Sequence, residues 1–168
     1  MRVGQVLGFL GTVALCACGS SSGSSSDAAS AFAGVWTGSV TTTVGTSSQT
    51  RTGVKLPIEE LRPNQIKLHG YCSATDIYSD GPTATVTGSG FTVVPMTCSF
   101  AGQTCPTITA NIQSGNGSLT GGLASTLQVA VTVLVTDCAG TGTDLLTYTA
   151  SQKAPYGSTV LVAPGESD

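Results

Sequence analysis

Apolar residues recur at every second position along most of this chain, and the cleanest run lies between Leu127 and Val135. Leu127, Val129, Val131, Val133 and Val135 fall on one face and Gln128, Ala130, Thr132 and Leu134 on the other. That is the two-residue period of a strand with one buried side. Trp36, Val40 and Val44 alternate with Thr and Ser in a first strand. Val54, Leu56 and Ile58 line a second, with Lys55 and Glu59 pointing away. Ile66 and Leu68 line a third, which turns Lys67, His69 and Tyr71 outward. Further strands are predicted at 83–87, 91–97, 107–112, 118–136 (two if broken at Gly121-Gly122) and 144–151, with a short last one near 158–163. Thr, Val, Ser and Gly dominate, and good helix formers are scarce.

Turn chemistry punctuates these runs. Ser79-Asp80-Gly81-Pro82 is a turn by composition, and Asn116-Gly117 between two apolar runs suits the positive φ angles of a tight hairpin. Every predicted connection is short, and short links join antiparallel neighbours, because a parallel crossover needs a dozen or more residues. The expected fold is therefore all-β: an antiparallel up-and-down meander, closed or nearly closed into a barrel. A two-sheet β-sandwich is the alternative. Closure is favoured because it removes exposed strand edges.

The front of the chain follows another pattern. Arg2 is the only charge before Asp27, and Val3 to Ala17 is mostly apolar. The stretch is too short for a bilayer span, which needs ~20 residues, and reads as the apolar region of a secretory signal. Leu15-Cys16-Ala17-Cys18 closes it. This resembles the lipobox of bacterial lipoproteins, and the resemblance implies cleavage before Cys18 and attachment of acyl chains, palmitate among them, to that residue. Cys16 would place bulky Leu15 directly before the cut. Several chains on one residue anchor stably where a single chain binds only reversibly. Residues 1–17 are thus expected to be the signal peptide, 18–30 a flexible Ser/Gly tether, and 31–168 a single β-domain. Gly19 after Cys18, rather than Asp, resembles lipoproteins of the outer rather than the inner membrane of the bacterial cell envelope. Gly19 to Gly23 spells G-x-S-x-G around Ser21, but without the strand and helix that give a nucleophile elbow its meaning.

Export also decides how the remaining cysteines read. Cys72, Cys98, Cys105 and Cys138 would meet an oxidising compartment, and none belongs to a CxxC pair, so two disulfides are expected rather than zinc. Pairing Cys72 with Cys98 and Cys105 with Cys138 closes two separate loops. Pairing Cys98 with Cys105 would instead staple a hairpin centred on Ala101-Gly102 and leave Cys72 for Cys138.

Charge narrows the partners. Charged residues make up only 9% of the chain against 40% hydrophobic. The leader takes Arg2 with it, so five cations against 9 acids remain and the mature net charge falls from −3 to −4. With no basic cluster, nucleic acid is not an expected partner. His69, the only histidine, reads as a solvated strand residue rather than a general base. Glu59 and Glu60 point to opposite faces and cannot chelate jointly. Asp76 and Asp80 flank a turn and lack the ligand spacing of a calcium loop. No catalytic residue, metal or cofactor is expected, and the chain is not read as an enzyme.

Gly34-Val-Trp36 opens the first strand. It resembles the first-strand motif of lipocalin-like barrels, which implies that Trp36 plugs one end of a cavity holding a small apolar ligand. Three function classes follow. The first is a membrane-anchored module that binds an unknown protein at the envelope. The second is a carrier of a small apolar ligand, and the third, a distant one, is an enzyme. An open apolar cavity above roughly 300 Å³ would favour the carrier, and a filled interior the module.

Overall fold

The structure, a computed structural model, describes residues 28–121 and 125–156. The Leu15 to Cys18 motif, all but the last three residues of the expected tether (18–30), Gly122 and the strand expected near 158–163 lie outside these residues. Nine strands follow one another: β1 (Gly34–Val44), β2 (Ser47–Arg62), β3 (Gln65–Leu68), β4 (Thr83–Thr87), β5 (Gly90–Val93), β6 (Met96–Phe100), β7 (Ile108–Thr120), β8 (Thr126–Asp137) and β9 (Gly140–Ala154). All pairings are antiparallel. The sheet runs β5-β4-β3-β2-β1-β9-β8-β7-β6, and β5 also pairs with β7, so a ring of hydrogen bonds closes with β6 left outside it. The fold is the expected antiparallel meander, nearly a barrel.

Closure rests on a change of partner along β7. Residues Ile108 to Ile112 pair with β6, while Asn116, Gly117 and Ser118 pair with β5. Between them Gln113 bulges out of register with β8. Asn116-Gly117 is consequently not the hairpin turn expected from its composition; it lies inside a strand paired on both edges. Gly117 is there because it faces Phe91, and a Cβ at this position would overlap the Phe91 ring. Gly in a strand marks close approach as well as turns.

The ring has a packed end. Trp36, Ile58, Ile66, Leu68 and Leu127 are fully buried there. The turn formed by residues 28–32 plugs it: Phe32 meets Phe91 edge to face at 5.2 Å, and its carbonyl accepts the Trp36 indole N–H at 2.7 Å. Lys153 covers the plug, its Nζ 5.4 Å from the Trp36 ring and donating to the Ala31 carbonyl at 2.8 Å, a cation–π contact that adds to the hydrogen bond.

The other end is split. β2 pairs with β3 only from Ile58 onward, and among the described residues β6 pairs only with β7, so within them a gap runs between the first half of β2 and β6. Residues 69–82 cross it, which corrects the expectation that every connection is short. This strap doubles back on itself: Leu68 N–H bonds to the Pro82 carbonyl, Gly70 to Ser79 and Cys72 to Asp80, at 2.9, 3.0 and 3.0 Å. His69 N–H bonds the Pro57 carbonyl on β2 at 2.9 Å, while the Cys72–Cys98 disulfide fastens the strap to β6. Cys105 is joined to Cys138, tying the β6–β7 connection to the β8–β9 turn. These are the two separate closures of the first pairing above.

Phe91 supports the closure only while Gly117 leaves room for its ring. Gly117→Ala should therefore lower stability by about 1–3 kcal/mol, the usual cost of overpacking, measured by urea unfolding. An unchanged midpoint would mean that the β5–β7 seam does not depend on this contact.

Candidate functional site

Between the packed end and the split lies a cavity of about 380 Å³. Register explains its lining. Inward positions alternate along β8 as Val129, Val133 and Val135, all of which border the cavity. Val54 and Leu56 supply the β2 wall, and Ala110, Leu146 and Val40 the walls from β7, β9 and β1. These side chains are of moderate size, so their stems cover the sheet without filling the centre. Phe100 on β6 and Tyr71 on the strap close the side.

Tyr148 forms the floor. It is buried, and its hydroxyl shares its hydrogen between the Trp36 carbonyl at 2.7 Å and the Val54 carbonyl at 3.0 Å. These bonds hold the ring beneath the cavity and separate it from the packed end. Burial pushes the Tyr148 phenol well above its ordinary range. Burial, with Tyr148 nearby, does the same to Tyr71. Two phenols held neutral suit an apolar chamber, since burial disfavours the charged form.

The mouth is where charge enters. Two bulges reset the inward face of β1's neighbours. Val54 pairs with Gly38 and Thr52 with Ser39, which leaves Gly53 unpaired, in the left-handed region at φ +69°. The extra residue shifts the alternation, so Arg51, opposite Val40, comes to border the cavity. On the far side β9 has its own shift against β1 between Thr37 and Gly38. Asp144 borders the cavity from β9, and burial raises its carboxyl above the usual range, with Asp137 adding to the effect.

His69 does not sit in solvent, and this corrects the sequence reading. It is only 9% exposed. Its backbone lies where β3 gives way to the strap, so the outward face that β3 alternation assigns it is roofed by residues of its own connection. Nδ1 faces the Tyr78 and Ser79 carbonyls at 3.3 and 3.2 Å, which only a protonated nitrogen can bond. Nε2 lies 3.0 Å from both Glu59 Oε2 and Tyr156 Oη. Every partner belongs to β2, the strap or the segment after β9, so the ring acts as a clasp. Tyr71 also departs from expectation: beyond Gly70, at φ +87°, the chain turns it against the cavity instead of outward.

The acidic residues serve local structure. Asp76 Oδ1 accepts the Tyr78 N–H at 2.8 Å, a turn bond. Asp80 pairs with Lys67, and the hydrogen bond from Lys67 holds its carboxyl below the usual range. Glu59 contacts His69. Among the described residues no group of three or more His, Cys, Asp or Glu comes together to hold a metal.

Arg51, Asp144 and Tyr148 were not singled out by sequence reasoning, and Tyr71 was assigned to the outer face. One signal was available for Arg51: Gly53 inside an alternating run marks a bulge, and a bulge reverses which residues face in. No protein-family model, curated protein or solved structure matches the chain.

The strap is held to β6 by one disulfide. Cys72→Ser with Cys98→Ser should lower stability by about 3 kcal/mol on the loop-entropy account and speed exchange of any bound apolar probe. Unchanged probe off-rates in stopped-flow would show that the strap does not guard the cavity.

Proposed function

We propose that this protein is a lipid-anchored envelope lipoprotein whose barrel carries a small apolar ligand. The observation that carries this reading is the cavity of about 380 Å³, walled by Val, Leu and Ala and floored by a fixed tyrosine. Its size falls within the ~300–1,000 Å³ range of small-molecule sites, which combine apolar walls with a few placed polar groups. Trp36 at the packed end accords with the lipocalin-like resemblance of the first strand. The interaction-module reading called for a filled interior, and the cavity of about 380 Å³ favours the carrier over it.

Anchoring rests on Leu15 to Cys18 and on the Ser/Gly run that follows. A flexible tether of this composition lets the barrel sample the region above the membrane without fixing its orientation. The bacterial cell envelope is the proposed location, at the outer membrane rather than the inner. The membrane, reached through the lipid, and the small ligand are then the partners.

Filling the chamber tests the carrier reading. A neutral fluorescent probe such as N-phenyl-1-naphthylamine should bind the native protein one to one. Leu146→Trp should weaken binding at least tenfold while leaving the melting temperature within a few degrees. Equal binding by both proteins would refute use of this cavity.

The anchor has a separate test. Cys18→Ser should abolish incorporation of a palmitate analogue and release the protein from membranes, with folding intact. Label persisting in the variant would refute Cys18 as the attachment site.

A further inference from the structure

Resting on the carrier reading, we infer that the ligand is a single-chain amphiphile with an anionic head, held at the cavity mouth by Arg51. The cavity's apolar walls lie below the mouth, and Arg51 is brought to its edge by the Gly53 bulge. Among the described residues the ion pairs are Lys67 with Asp80 and His69 with Glu59, and no hydrogen bond or ion pair engages the Arg51 guanidinium. A guanidinium offers a planar fork of donors that matches a carboxylate or phosphate, and here that fork borders an apolar chamber with its donors unclaimed.

The acids at the rim do not reverse this sign. Asp76 spends one carboxylate oxygen on the Tyr78 N–H. Asp144 is displaced from Arg51 across β1, since Arg51 pairs with Val40 and Asp144 with Val44. A head group at Arg51 thus meets a guanidinium first, while a tail directed inward runs along Val54, Leu146 and Val129 toward Tyr148. Among the described residues no charged group lines that inner path. A neutral apolar ligand would leave the arginine unused, and a cationic one would face it.

Isothermal titration of the full chain carrying Cys18→Ser, so that no acyl chain of its own competes, should use decanoate, decanol and decyltrimethylammonium. Decanoate should bind about tenfold or more tighter than decanol, the scale of one charge-assisted contact, and decyltrimethylammonium weakest. Arg51→Gln should bring decanoate down to the level of decanol, with an unchanged melting temperature showing that the variant is folded. Arg51→Lys should restore part of the preference. Decanol binding as tightly as decanoate, or an Arg51→Gln variant that keeps the preference, would overturn the anionic head group while leaving the carrier reading standing. Binding of none of the three would overturn the carrier reading and this inference with it.

Discussion

The structure depends on the exchange of partners along β7. One strand cannot pair with β5 and β6 over the same residues, so the ring closes through Asn116 to Ser118 and splits where Ile108 to Ile112 turn to β6. The closed part can be packed solid because all sides are present, and Trp36, Ile58, Ile66 and Leu68 fill it. Over the split part no strand among the described residues bridges β2 and β6. The chamber exists there because the inner faces remain apolar while the opposing wall is a strap. A single steric fact underlies the arrangement: Gly117 lacks a side chain where the Phe91 ring must lie.

A hollow apolar core has a cost, since its lining forgoes the contacts that a packed interior would make. Such a space admits water poorly when its walls offer few polar partners. Collapse is resisted from three sides. Tyr148 is fixed by two carbonyls from β1 and β2, the long strands β8 and β9 are paired from Leu127–Ala150 to Asp137–Gly140, and the strap is fastened at both ends. The two fastenings differ in kind. The disulfide to β6 is covalent and suits an oxidising compartment, whereas the His69 clasp on β2 is a set of hydrogen bonds.

The outer surface is polar through hydroxyls more than through charges. Threonine and serine hydroxyls face each other across strands, as in Thr41 with Thr50, Thr43 with Ser48 and Thr136 with Thr141, at 2.8 to 3.0 Å. Cross-strand pairs of this type add modestly to sheet stability and suit β-branched residues on a pleated surface.

Strand identity was legible in the sequence because alternation reports burial on one face directly. Leu127 to Val135 and 83–87 are strands where the pattern puts them, and short links between most of them led to an antiparallel meander near closure. Both cysteine pairings remained open, since spacing alone does not say which loops come together. The errors share a cause: each involves a residue whose environment is set by a distant segment. Asn116-Gly117 has the chemistry of a turn, yet Phe91, far away in sequence, uses the glycine as a space. His69 has an outward position in its strand, yet Tyr78, Ser79 and Tyr156 roof it. Arg51 falls outside the simple alternation because one extra residue, Gly53, changes the side on which it emerges. Periodicity along the chain thus determined which residues are strands and which face is apolar. Only tertiary structure decided where the ring would fail to close, and so where an apolar chamber with an unpaired arginine at its mouth would form, because that follows from which strands reach which partners.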